Sequence, residues 1–300
     1  MQKTGLFILC MLIFASCSNE KDFDMETYKK EMQDWKTKRL ANLKAEDGWL
    51  NLAGLLWLKE GKNSFGSHSD NDIIFPEGAP EHIGTIFLKD GQIITVIHEG
   101  PEVYHADSLV HRIEMVSDAE GSPTNLTCHP FRWFIIKRGD RYAIRLRNLE
   151  SSLIDKIDSI PAFPVQEEWR IKGKFDAFAS PKKMEIPNVL GETEVAGVHG
   201  KLLFEKDGKQ FELLPMGTPE RGFFLVFADQ TSAEETYGAG RFLSVGKPNE
   251  KDEVIIDFNK AYNPPCAFTA YATCPLPPKE NILDLRVTAG EKTGQHIGHH

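Results

Sequence analysis

The sequence is poor in the signatures by which enzymes are usually recognised. It contains no Gly-x-Ser-x-Gly nucleophile elbow, no Walker phosphate loop, no His-Glu-x-x-His pair and no Gly-x-Gly-x-x-Gly turn. The commonest hydrolase, nucleotide-binding and zinc-protease readings therefore fall away. Positive charge is also scarce, with 35 Lys and Arg against 44 Asp and Glu and a formal net charge of −9. Nucleic-acid binding generally needs a basic face, so nucleic acid is not expected as a partner, and an acidic surface disfavours adsorption to anionic lipid. Only 5 cysteines occur, none in Cys-x-x-Cys or another zinc-like spacing. Internal repeats and low-complexity tracts are absent.

A hydrophobic content of 41% over 300 residues is that of a globular chain, enough for one large domain or two ordinary ones. The N-terminus has its own logic. Lys3 opens it, and Leu6 to Ala15 is apolar but too short to span a bilayer as a helix. Phe14-Ala15-Ser16-Cys17 then resembles a bacterial lipobox. The expectation is a lipoprotein signal over 1–17, with Cys17 as the acylated N-terminus holding the protein to a membrane of the bacterial cell envelope. An ordinary secretory signal cut nearby is the alternative. Residues 18–48 form a polar tether and then a helix from Asp24 to Lys44, with Asp24 as cap and Tyr28, Met32, Trp35 and the stem of Arg39 on one stripe.

The rest of the chain reads as β. Trp49 to Leu58 suits a helix or a buried strand equally. Ile73–Phe75, Thr85–Leu88 and Gln92–His98 read as strands, with Lys89-Asp90-Gly91 turning a hairpin. Through Gly66-Ser67, Asp70-Asn71-Asp72-Ile73 and His82, this first unit is faintly similar to a forkhead-associated sandwich. It has Ser67 and Pro80-Glu81 where phosphothreonine readers carry arginine and serine, so phosphopeptide binding is not expected. Arg138-Gly139-Asp140 reads as a charged hairpin turn, not an adhesion motif. Beyond Phe163-Pro164, strand-like runs recur at Trp169–Phe178, Val198–Phe204, Lys209–Leu214, Phe223–Phe227, Arg241–Val245, Val254–Phe258 and Leu283–Val287. The fold class is mainly β: an N-terminal helix and two antiparallel β units, sandwich- or barrel-like, over 49–162 and 163–292, with a flexible tail at 293–300.

The unusual stretch lies near the end. Asp257 to Phe268, continuing to Cys274-Pro275-Leu276-Pro277-Pro278, packs five prolines, two cysteines and polar side chains into about twenty residues. Prolines hold such a segment rigid outside any ladder. If the strand from Val254 continues, Asp257 and Asn259 share a face. With Gly238-Ala239-Gly240-Arg241-Phe242-Leu243, Cys274 to Asn281, Ala289-Gly290-Glu291-Lys292 and, upstream, Asp47 to Leu58, Phe163-Pro164 and Trp169-Arg170, the chain resembles the DUF1684 family from about Trp35 to Lys292. That resemblance supports the domain limits and supplies no mechanism, since the family has no established activity.

Tyr237, Arg241, Asp257, Asn259, Tyr262 and Asn263 are the candidate binding residues. Arg241 offers a planar fork suited to a small anionic ligand, or else it pairs with Asp257 to tie two strands. The functional expectation is a small-molecule binding or hydrolytic site here. The alternative is a non-catalytic envelope module that meets another protein. Cys266 and Cys274 close a short loop and form the candidate disulfide, unless they are buried thiols. His98, His105, His111 and His129 are scattered, His199 opens a strand, and His296, His299 and His300 lie in the tail. No metal site and no cofactor are expected from these. Cys17→Ala, expressed in a bacterial host, should leave the membrane fraction for the soluble or unprocessed pool on washing and immunoblotting. Membrane partition equal to wild type refutes the lipid anchor.

Overall fold

Alternating apolar residues commit most of this chain to strands, and the computed structural model arranges them in several antiparallel sheets behind one long helix, one sheet curling as a half-barrel. It describes residues 23–294. Cys10, Cys17, the tether to Asp22 and the tail histidines lie outside the described residues.

The helix runs Met25–Lys44, and Asp24 caps it by accepting from Glu26 N at 3.1 Å. Tyr28, Met32 and Leu43 are its buried residues. Although it precedes the first β unit, it docks on the second. Tyr28 Oη donates to Asp257 Oδ1 at 2.7 Å. Leu40 and Leu43 join Phe268 and Ile157 in one apolar cluster.

In the first unit a six-stranded sheet is ordered Leu52–Trp57, Arg141–Asn148, Phe131–Arg138, Leu126–Cys128, Tyr104–His105, Ser108–Leu109. It faces a five-stranded sheet ordered Ile73–Ile74, Gly61–Gly66, Gly84–Lys89, Gln92–Ile97, Arg112–Glu114. All pairings are antiparallel except Gly61–Gly66 with Ile73–Ile74. Side chains from both sheets meet in one core. Trp133 is wholly buried there, with the Phe75 ring at 5.5 Å and the Phe65 ring at 5.7 Å. Burying an aromatic of this size contributes about 2–3 kcal/mol. Trp49 to Leu58 resolves as the strand Leu52–Trp57. The segment Arg138-Gly139-Asp140 turns the hairpin between Phe131–Arg138 and Arg141–Asn148, and Arg138 is drawn inward to Asp118 at 2.9 Å.

The second unit combines a four-stranded sheet, Lys209–Leu213, Thr193–Lys206, Arg170–Pro187, Glu253–Asp257, with a three-stranded one, Met216–Thr218, Gly222–Phe227, Arg241–Val245. Trp169, Phe204, Phe227 and Phe258 fill the space between them, and the Phe258 ring lies 5.6 Å from both Phe204 and Phe227. Two expectations change here. Leu283–Val287 alternates like a strand but is not one: Leu283 N donates to Ala228 O at 2.8 Å and Leu285 O accepts from Gln230 N at 3.0 Å, without a continuous ladder. Two of its three apolar positions, Leu283 and Val287, are buried all the same, and Leu285 is half-buried. The last strand stops at Asp257, where a 3-10 turn, Phe258–Lys260, takes over.

Candidate functional site

Arg241 begins its strand with a side chain that points into the second unit and has no exposed surface. Gly240 before it has φ +85°, and a Cβ there would stand 2.5 Å from Phe227 O, so only glycine lets the chain enter at this angle. Arg241 Nη2 bonds Asp229 Oδ2 at 2.7 Å and Val287 O at 3.1 Å. Its Nη1 donates to Ala289 O and, at 3.4 Å, to Glu291 O. Asp229 is held in turn by Thr231 N and Thr231 Oγ1, both at 2.7 Å. Burial lowers the Arg241 pKa, and the Asp229 carboxylate opposes that shift.

The expected partner, Asp257, is therefore replaced by Asp229. Strand pairing is the reason. Arg241 lies opposite Phe227, two residues before Asp229, whereas Asp257 lies opposite Arg170 in the other sheet. The two terminal nitrogens of the guanidinium are taken by one carboxylate and the carbonyls of the C-terminal segment, and its buried Nε has no hydrogen-bond partner among the described residues. The guanidinium is a clamp on that segment, with no fork turned to a ligand.

Asp257 and Asn259 also take different work from that expected. Asp257 ends the strand and caps the following turn, its Oδ1 accepting from Asn259 N at 3.2 Å and from Tyr28 Oη. Oδ2 faces Lys260 Nζ at 3.5 Å. Asn259 doubles onto the linker backbone, accepting from Gln166 N at 3.0 Å and donating to Gln166 O at 2.8 Å. The Asn263 side chain donates to Lys292 O at 3.0 Å. Tyr262 exchanges backbone bonds with Phe242, and Tyr237 Oη donates to Cys266 O at 3.2 Å. These residues do not converge on one space. They lock the proline-rich loop to its surroundings.

Cys266 and Cys274 are buried thiols in this structure and not a disulfide, and Cys266 N donates to Cys274 Sγ at 3.1 Å. The contact between the two thiols lowers the Cys266 pKa and raises that of Cys274, as expected when one thiolate is stabilised by its neighbour's proton.

The open space lies next door. A cavity of about 500 Å³ runs between the helix, the linker 158–162 and the Gly290-Glu291 corner. Trp35, Leu40, Ile160 and Ala162 give it apolar walls, and Arg39, Asn259 and Glu291 its polar end. Asn259 is the one member of the predicted set that lines it. Glu291 is 3% exposed. Its Oε1 accepts from Arg39 Nε at 3.1 Å and its Oε2 from Asn263 N at 2.7 Å. Arg39 Nη2 donates to Asn263 O at 2.8 Å, and the guanidinium lies 4.7 Å from the centre of the Tyr262 ring. Burial pushes the Glu291 carboxyl above its ordinary range, and Arg39 and the Asn263 N–H pull the other way. A buried, perturbed carboxyl at a cleft is the pattern of a functional site.

Sequence reasoning had Arg39 only as an apolar stem on the helix stripe, and Glu291 only as part of the Ala289-Gly290-Glu291-Lys292 motif. The available signal was the glycine. Gly290 has φ +80°, and a Cβ there would meet Ala261 O at 2.5 Å, so the motif encodes a tight corner that delivers the next side chain inward.

Residues 155–292 match the model of a family described as a protein of unknown function, DUF1684. The match is narrower than the resemblance from Trp35 onward, and it includes Glu291 and Asn259 but not Arg39. The solution NMR structure of an uncharacterised protein of Haloarcula marismortui is similar at 28% identity, covering 46% of this chain and 78% of that one, with a TM-score of 0.39. No curated protein matches.

Two outcomes follow from this geometry. Arg241→Lys keeps one contact to Asp229 and abandons buried carbonyls, each costing about 1–3 kcal/mol when left unpaired, so a lower melting temperature and denaturation midpoint are expected. A melt unchanged within error removes the clamp. Glu291 has a folded pKa above its unfolded value of about 4.3. Its contribution to stability is therefore complete below that value and lost as pH rises through the folded one. Urea titrations from pH 4 to 8 should show wild type losing stability relative to Glu291→Gln as pH rises. A difference that stays flat across the series refutes the assignment.

Proposed function

We propose that this protein is an exported, membrane-anchored binding protein of the cell envelope whose ligand is a small amphiphile. The apolar part of the ligand occupies the cavity between the N-terminal helix and the 158–162 linker, and its polar or anionic head meets Arg39, Asn259 and Glu291. The observation that carries the reading is the cavity itself: about 500 Å³, mostly apolar, with polar groups gathered at one end. This is the common form of small-molecule sites. Cations outnumber acids in its lining, Lys36, Arg39 and Lys44 against Asp158 and Glu291, which favours a negatively charged head. Binding is preferred over hydrolysis because, among the described residues, no histidine or cysteine lines the cavity and no nucleophile–base pair is formed there.

The packing of Arg241 and the proline-rich loop favours a second role for that part of the chain, as a purely structural element. The two roles are compatible. A rigid loop backs the wall against which the ligand rests.

Ala41 lines the cavity from an exposed helix position, so Ala41→Trp can fill the space at little cost to the fold. Thermal melts with octanoate, octyl phosphate and octyl glucoside should show wild type stabilised by the anionic amphiphiles more than by the neutral one. Ala41→Trp should melt as wild type does alone and lose that shift. No shift in wild type with any of the three, or an equal shift in both proteins, overturns the proposal.

A further inference from the structure

The loops at one edge of the first unit hold a constellation that the cavity does not use. His68 Nδ1 lies 2.7 Å from Asp70 Oδ1, and His82 Nδ1 lies 3.7 Å from the same oxygen. All three ligand-bearing atoms fall within 4.8 Å of one another. A tetrahedral centre with bonds of about 2.0 Å has ligand-to-ligand edges of roughly 3.3 Å, and the observed separations bracket that length. The side chains are half exposed, at 47%, 64% and 46%, so an ion could enter from solvent without any rearrangement of the core.

The backbone beneath them is fixed. Ser67 N donates to Pro80 O at 3.0 Å and His68 N to Glu81 O at 3.1 Å, zipping the two loops together. Asn71 is 7% exposed, and its Nδ2 bridges His68 O and Glu81 O, both at 2.8 Å. A Cβ at Gly66 would stand 2.2 Å from Glu81 O, so the close approach of the loops requires glycine. The two histidines come from different loops, and this zipper is what brings their rings to 5.2 Å. Asn71 Oδ1 lies 3.5 Å from His82 Nδ1, and an ion ligated through that nitrogen would displace this contact.

We propose that His68, Asp70 and His82 form a binding site for a divalent ion of the zinc class, ligated by His68 Nδ1, His82 Nδ1 and one Asp70 oxygen. Two imidazoles and a carboxylate suit Zn²⁺, Co²⁺, Ni²⁺ and Fe²⁺ better than Mg²⁺ or Ca²⁺, which take oxygen ligands. Three protein ligands leave at least one position for water or a ligand atom, as in reactive metal centres and unlike closed structural ones. Binding replaces the direct His68–Asp70 contact, and any proton held between them moves to the far ring nitrogen or to solvent. Affinity therefore falls as the medium is acidified.

The test uses the full chain carrying His296→Ala, His299→Ala and His300→Ala, so that the tail takes no part. Zn²⁺ is titrated in competition with a chromogenic chelator, and Co²⁺ is followed by its visible absorption. One equivalent of Zn²⁺ is expected, and either Asp70→Asn or His82→Ala should weaken it by at least about 100-fold, beyond the loss typical of an outer partner. Because the three side chains are on the surface, melting of the metal-free variants should match that of the parent. The proposal is overturned if no stoichiometric Zn²⁺ binds, or if it binds undiminished in His68→Ala and His82→Ala.

Discussion

The ion pair between Arg241 and Asp229 is the interaction on which the second unit depends. Both side chains are fully buried, where a lone charge would be several kcal/mol too costly to keep. Having been paired, the guanidinium gathers the carbonyls of Val287, Ala289 and Glu291. That bends the C-terminal segment into the corner at Gly290, which in turn aims the Glu291 side chain at Arg39. Through Arg39 the helix is positioned, and with it one wall of the cavity. Every link in this series is a hydrogen bond to backbone or a charge-assisted pair, so the site is set by polar anchoring more than by the fit of its apolar walls.

Much of the architecture was legible in the sequence. Asp24 at the helix start, the Lys89-Asp90-Gly91 turn and the alternation in most strands are local signals, and local signals survive folding. Asp90 and Asp207 both adopt positive φ, 50° and 53°, with the glycine that follows. What failed was non-local. The partner of Arg241 follows from which strands become neighbours, and spacing does not state that. Leu283–Val287 buries Leu283 and Val287 and half-buries Leu285, but no strand lies alongside to complete a ladder. Asn259 left the strand because the Asp257 side chain caps a turn more readily than it continues an extended run.

The cavity and the His68–Asp70–His82 cluster were missed for the same physical reason. Arg39 and Glu291 are separated by 252 positions, and Arg39 looked like a helix-stripe residue. His68-Ser69-Asp70 is short enough to be noticed, yet it carries meaning only when His82 is brought beside it by a zipper of backbone bonds. In both places the chemistry is assembled by main-chain groups, which every residue possesses and no composition reveals.

The docking of the first helix on the last unit also governs the order in which this molecule can be completed. A chain made N-terminus first presents Tyr28, Arg39 and Leu43 long before Asp257, Glu291 and Phe268 exist to receive them. Closing that loop is slow compared with forming the hairpins of the first unit. In the interval the helix is an uncovered amphipathic segment, open to chaperones and to self-association. The corner at Gly290-Glu291 is thus a late step in seating an early-made helix, and truncation before Glu291 removes the carboxylate that holds Arg39.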